Sequence, residues 1–165
     1  IGGDHGLHEL YAISFSDGSK LSVGANTGIF VHFGASFWPV GPSGRFRTQL
    51  VAGVKWTGQE ASNGDIDYYA FPVALTETVD LAPFRLGAGA YALLLPKLKG
   101  SGFAAPITMS MKNSVGFLVQ AEYRWSTVGL GVRYVWNKLK GDFGGDMSAP
   151  AWGIVFSGGG PTPVP

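Results

Sequence analysis

The chain has 165 residues, a net charge of +1 and no cysteine, and only 14% of its residues are charged, against roughly 25% in ordinary soluble domains. The absence of cysteine excludes disulfide scaffolds, thiolate metal sites and cysteine nucleophiles, and without a block of like charge nucleic acid is a poor candidate partner. No run of about 18 apolar residues occurs, which excludes a transmembrane helix.

Alternation of apolar and polar residues, punctuated by turn residues, divides the chain into eight predicted strands. Their approximate ranges are 7–15, 20–37, 45–57, 66–77, 84–95, 115–125, 128–137 and 150–157. The sixth and seventh are the clearest, because mostly apolar or aromatic residues occupy every second position on both sides of the turn Ser126-Thr127. This pattern is typical of an amphipathic β-hairpin.

The links between these strands alternate in length. The links 39–44, 78–83 and 126–127 are short, whereas 58–65, 96–114 and 138–149 are longer. Such alternation is typical of a barrel with turns at one end and loops at the other. The first link, 16–19, is short where a long one is expected. Residues 1–157 are interpreted as one barrel domain and 158–165 as a Gly/Pro-rich tail or linker.

The orientation of the two faces decides the class of protein. A soluble lipocalin-like ligand-binding barrel would turn its apolar faces inward, whereas an outer-membrane barrel turns them to lipid. Long strands, sparse charge and aromatic residues at strand ends favour the membrane. The fold predicted is therefore an all-β, transmembrane, up-and-down antiparallel barrel of eight strands, located in the bacterial outer membrane. Its predicted interfacial aromatic girdle consists of Trp38, Trp56, Tyr69, Tyr123, Trp125 and Trp136.

The polar face then lies in the lumen and carries several charged residues. With Ser126-Thr127 as a two-residue turn, Glu122 is diagonal to Arg133, so Glu122 is the predicted anion of a lumen ion pair. The predicted salt-bridge network consists of Glu122, Arg124, Arg133, Lys55 and Arg47. Its expected role is structural rather than a proton path.

Nothing in the pattern favours catalysis. No Gly-x-Ser-x-Gly element occurs, and the alternation does not group a serine, a histidine and a carboxylate, so we expect no enzyme activity and no cofactor. His5 and His8 have the spacing of a weak metal-binding pair without a third ligand, and His32 is predicted to form hydrogen bonds in the lumen.

The longest link, 96–114, contains several apolar residues. Phe103, Ile107 and Met109 form a candidate outer-loop contact surface for a partner. The alternative is that these residues belong to strand extensions that pack on each other.

The pattern over 7–157 resembles the small eight-stranded outer-membrane barrels of the OmpA/OmpX/Ail-like group. The most specific local likeness is Gly64-Asp65-Ile66-Asp67-Tyr68-Tyr69, which is similar to the Ail-type segment where the second outer loop re-enters the barrel. The resemblance implies a non-enzymatic structural anchor or surface adhesion protein with a filled polar lumen and no cofactor. The alternative within this class is an OmpW-like passage for small or hydrophobic molecules.

The tail departs from barrels that end a chain on an aromatic residue, because Phe156 is followed by nine further residues. It resembles the linker between an OmpA-type barrel and a peptidoglycan-binding domain. The expected partners are the lipid bilayer and, through the tail or a following domain, a periplasmic or surface protein or peptidoglycan.

Overall fold

The computed structural model describes residues 1–14, 18, 20–37, 45–61, 64–104, 107–141 and 145–159. These residues form twelve β-strands and one short 3-10 turn, Gly102–Ala104. The strands are β1 Gly2–Gly6, β2 Glu9–Ser14, β3 Lys20–Gly24, β4 Gly28–Phe37, β5 Phe46–Ala61, β6 Gly64–Leu81, β7 Phe84–Gly100, β8 Thr108–Ser110, β9 Ser114–Trp125, β10 Val128–Gly141, β11 Gly145–Ser148 and β12 Ala151–Gly158. In the described part of the chain, no helix has the length and apolarity needed to cross a membrane.

Eight strands close into one antiparallel barrel in the order β1, β4, β5, β6, β7, β9, β10 and β12. The first and last strands complete the circuit, with Asp4 opposite Gly153. The remaining strands extend the barrel at one end: β8 pairs with β7, β11 pairs with β10, and β2 and β3 form a separate hairpin. The predicted all-β, eight-stranded closed architecture is confirmed.

The start of the chain differs from the prediction. The first barrel strand is β1 rather than 7–15, and the predicted second strand 20–37 is interrupted between β3 and β4. The interruption has a local cause, because Asn26 and Gly28 adopt positive φ values of 62° and 145°, which end regular extended structure. Residues 7–27 therefore form the long connection that the alternation of link lengths requires at this position.

The barrel has two distinct ends. We define the turn end by the two tight turns Ala82-Pro83 and Ser126-Thr127, and the first and last described residues also lie there. The loop end carries the extensions of β5, β6, β7 and β10 together with the β2–β3 hairpin.

Many large apolar side chains are exposed on the outer face of the wall, whereas several charged side chains point into the barrel. On β5, Phe46, Leu50, Val54 and Trp56 are exposed, whereas Arg47 and Lys55 on the opposite face are buried. The same arrangement recurs around the wall. Exposed apolar residues on the other strands include Ile29, Phe33, Phe71, Leu75, Phe84, Leu86, Val115, Phe117, Val119, Tyr123, Leu130, Val132, Trp152, Ile154 and Phe156.

The lumen is packed at the loop end. We define the loop-end plug as the buried side chains Val23, Ala25, Ile66, Tyr68, Leu98, Met111 and Leu139. The corner between β3 and β4 is fixed by buried amides, because Asn26 Nδ2 donates to Asn137 Oδ1 and to the Ala149 carbonyl, at 2.5 Å each. Asn137 Nδ2 in turn donates to Ser114 Oγ at 2.5 Å. The corner thus lies inside the barrel.

We expect Asn137→Ala to lower the free energy of unfolding by about 1–3 kcal/mol, because it removes one of the two acceptors of the buried Asn26 Nδ2 and the donor to the buried Ser114 Oγ. Urea denaturation followed by tryptophan fluorescence measures this change. Lys138→Ala, at the next position on the exposed face, is the matched control and should cost far less. Equal losses in the two variants would contradict the role assigned to the amide chain.

Candidate functional site

The polar part of the lumen begins below the loop-end plug with a buried ion cluster. We define the Asp4 cluster as Asp4, Lys55 and Arg133, which strands β1, β5 and β10 place on the inner face. Lys55 Nζ donates to Asp4 Oδ2 at 2.6 Å. Arg133 binds the same carboxylate with two donors, Nε to Oδ1 at 2.8 Å and Nη2 to Oδ2 at 2.5 Å. One carboxylate therefore holds two cations.

The cluster is isolated from solvent. The side chains of Asp4 and Lys55 are 0% exposed and that of Arg133 is 2% exposed. The Arg133 guanidinium carbon also lies 3.4 Å from the centroid of the Phe30 ring, a cation–π contact that covers one face of the guanidinium. Burial of this kind makes each ion depend on its partner, since an unpaired charge would be costly here.

The reach of Arg133 towards Asp4 depends on a glycine. Arg133 lies opposite Gly153 on β12, and Gly153 lies opposite Asp4 on β1. A Cβ at position 153 would collide with Asp4 Oδ1. Because Gly153 has no side chain, the arginine and the aspartate meet across the intervening strand.

A second carboxylate lies nearer the turn end. Asp80 at the end of β6 receives Arg85 Nε at 2.6 Å and Arg85 Nη2 at 3.1 Å. Arg47 Nε lies 3.0 Å from the other side of the same carboxylate. Asp80 is thus placed between two guanidinium groups from the neighbouring strands β5 and β7.

The five residues predicted to form one network all lie on the inner face, but they belong to separate groups. Lys55 and Arg133 contact Asp4, and Arg47 contacts Asp80. Glu122 accepts hydrogen bonds from Ser157 Oγ at 3.0 Å and from Gln120 Nε2 at 3.4 Å. The pairing expected between Glu122 and Arg133 is therefore replaced by the Asp4 pairing.

Arg124 differs from the other lumen cations. It follows Glu122 by two residues on the same face, so it lies one step closer to the turn end. Within the described structure, its buried Nε and Nη1 atoms have no hydrogen-bond partner. The same holds for His32 Nε2, whose ring contacts Phe30 at 4.6 Å between centroids.

Sequence reasoning missed both carboxylates that hold the cations. Asp4 is not predicted, because the glycines Gly2 and Gly3 leave β1 without a visible apolar alternation. Asp80 is not predicted either, because it lies within the predicted link 78–83. A charge balance could have indicated them. Four cations faced a single glutamate in the predicted network, and buried cations require more counter-charge than that.

A cavity of about 490 Å³ occupies the lumen between the Asp4 cluster and the turn end. We call it the turn-end cavity. Its polar wall includes Arg47, Arg85, Arg124, Gln49, Gln120 and Glu122. The volume is within the range of small-molecule sites.

The five predicted girdle residues that the structure describes lie on the outer wall. Trp56, Tyr69, Tyr123 and Trp125 are exposed. Trp136 is half-buried, because its Nε1 donates to Ser148 Oγ at 2.9 Å. Trp38 lies outside the described residues.

The candidate outer-loop contact is less accessible than expected. Ile107 and Met109 are partly buried and pack against the apolar core, which favours the alternative of packed strand extensions. The side chain of Phe103 lies outside the described part of the structure.

The structure separates the histidines. The ring Nδ1–H of His8 donates to the Ser148 carbonyl at 2.9 Å, whereas His5 is exposed on β1. No group of three or more His, Cys, Asp or Glu side chains suited to a metal ion occurs among the described residues.

No protein-family model, curated protein or solved structure matches this chain. The resemblance to OmpA/OmpX/Ail-like barrels therefore depends on sequence pattern and architecture alone.

We expect Asp4→Asn to lower the free energy of unfolding by about 3–5 kcal/mol, because it leaves two buried cations without an anion. Glu122→Gln is the matched control and should cost about 1 kcal/mol, since the described donors to Glu122 are neutral. Urea denaturation measures both changes. Adding Lys55→Met to Asp4→Asn should restore part of the loss, and a larger effect at Glu122 than at Asp4 would contradict this assignment.

Proposed function

We propose that this protein spans the bacterial outer membrane as a non-enzymatic β-barrel, which anchors its loop end at the cell surface for interaction or adhesion. The observation that carries this proposal is the outer wall. Seven of the eight barrel strands contribute large exposed apolar residues to it. Soluble monomers rarely expose apolar patches larger than a few hundred Å².

The height of this apolar wall matches a bilayer. On β5, ten residues separate Phe46 from Trp56, and both are exposed on the outer face. At about 3.3 Å per residue this is about 33 Å along the strand, or about 25 Å along the axis of a barrel whose strands tilt by about 40°. Outer-membrane barrels have an apolar band about 25 Å tall with aromatic residues at both borders.

Beyond this band the outer wall becomes polar. Glu60, Lys97, Lys99, Lys138 and Lys140 are exposed on the loop-end extensions of β5, β7 and β10. A change from aromatic to charged residues along a strand is expected where it leaves the membrane interface.

The distribution of charge inside the barrel supports the same conclusion. A lipocalin-like soluble barrel would place apolar side chains where Lys55, Arg85 and Arg133 are buried.

The lumen supports an anchor rather than a passage. The loop-end plug and the Asp4 cluster fill the described lumen above the turn-end cavity. An OmpW-like passage would instead have an apolar cavity that opens to the outer side.

Val132→Arg tests the membrane directly, because Val132 lies near the middle of the apolar band and is 54% exposed. We expect a cost of about 2–4 kcal/mol and reduced insertion into lipid vesicles if the wall faces lipid. On the surface of a soluble barrel the same change would stay within about 0.5 kcal/mol. Thr108→Arg, exposed beyond the band, is the matched control.

The measurements are urea titration in vesicles and the fraction of unboiled protein that migrates as the folded form on a gel. Wild-type insertion of Val132→Arg would contradict the proposal. So would recovery of the folded wild-type protein from membranes without detergent.

Recordings across planar bilayers separate an anchor from a passage. We expect no stable ion conductance from the inserted wild-type barrel, because the plug and the Asp4 cluster obstruct the lumen. Stable conductance that Asp4→Asn alters would overturn the anchor and favour a passage.

A further inference from the structure

The walls of the turn-end cavity carry more positive than negative charge. From the Asp4 cluster to the turn end, the described inner face holds five cationic and three anionic side chains: Lys55, Arg47, Arg85, Arg124 and Arg133 against Asp4, Asp80 and Glu122. Two positive charges are therefore in excess.

The three carboxylates are already engaged. Both oxygens of Asp4 bind Lys55 and Arg133, and both oxygens of Asp80 contact Arg47 or Arg85. Glu122 is held by two neutral donors. Nε and Nη1 of Arg124 are buried at the cavity wall and have no described acceptor. The guanidinium of Arg124 therefore offers N–H donors for which the described structure provides no acceptor.

We propose that the turn-end cavity binds a small oxyanion, a free phosphate or a small molecule bearing phosphate or carboxylate, through the Arg124 guanidinium. A guanidinium presents two parallel N–H donors along its Nε/Nη2 edge and two along its Nη1/Nη2 edge, and each of these pairs matches two oxygens of such a group. Gln49 and Gln120 on the same wall supply neutral amides for the remaining oxygens. The cavity of about 490 Å³ accommodates a phosphate group with several waters or a small organic substituent.

The ligand enters from the aqueous phase at the turn end. The loop-end plug obstructs entry from the opposite end, whereas beside the turn end the β4 residues 31–37 have no described strand partner on the β1 side. This inference does not depend on the membrane proposal, because the cavity is inside the barrel whether the outer wall contacts lipid or water.

Inorganic phosphate is the probe. The arginine Nε–H signals of the ¹⁵N-labelled full chain, folded in nonionic detergent or in buffer if it folds there, are followed by NMR during titration. We expect a saturable shift of the Arg124 signal, and Arg124→Gln should weaken phosphate binding about tenfold or more. Arg45→Gln removes the same charge from an exposed residue next to this end that does not line the cavity, and it should leave the affinity unchanged.

Sodium chloride at equal ionic strength should not reproduce the shift. A shift of equal size with chloride, equal weakening by Arg45→Gln, or no saturable shift in the wild type would each overturn the proposal. Arg124→Lys keeps the charge but removes the planar pair of donors. It should also weaken binding several-fold, and it provides the comparison if Arg124→Gln does not fold.

Discussion

The Asp4 carboxylate is the point on which the interior of this barrel depends. It is the shared partner of one lysine and one arginine that come from opposite sides of the lumen, and all three side chains are almost fully buried. Desolvation of three ions is expensive, so this arrangement persists only because each charge finds its counter-charge at hydrogen-bonding distance. The loop-end plug lies on one side of the Asp4 cluster and the turn-end cavity lies on the other.

The two surfaces of the wall have opposite chemical character. An apolar outer face and a charged inner face would be unfavourable for a protein in water, but they are complementary to hydrocarbon outside and to paired ions inside. In the proposed bilayer, closure of the sheet also satisfies much of the backbone, since each barrel strand has a hydrogen-bonded neighbour on both sides along at least part of its length. The barrel shape and the unusual polarity thus have the same physical origin.

Much of this architecture could be predicted from the sequence, because alternation in β5, β9 and β10 is regular and each residue's face follows from its position. The inward orientation of Lys55, Glu122 and Arg133 follows in the same way. The partners of these residues could not be predicted. Arg133 comes within hydrogen-bonding distance of Asp4, across Gly153, only after the last strand pairs with the first. The short, glycine-rich β1 and the reversal at Asn26 also lack a periodic signal, so the beginning of the barrel was misplaced.

The distance along the chain between the members of the Asp4 cluster has a kinetic consequence. Asp4 is separated from Lys55 by 51 residues and from Arg133 by 129. Contacts between such remote residues form late and slowly, because a large loop-closure entropy must be overcome first. An open sheet without β1 in place would hold two cations that lack their anion. We therefore expect docking of the first strand to be a late and cooperative step in folding.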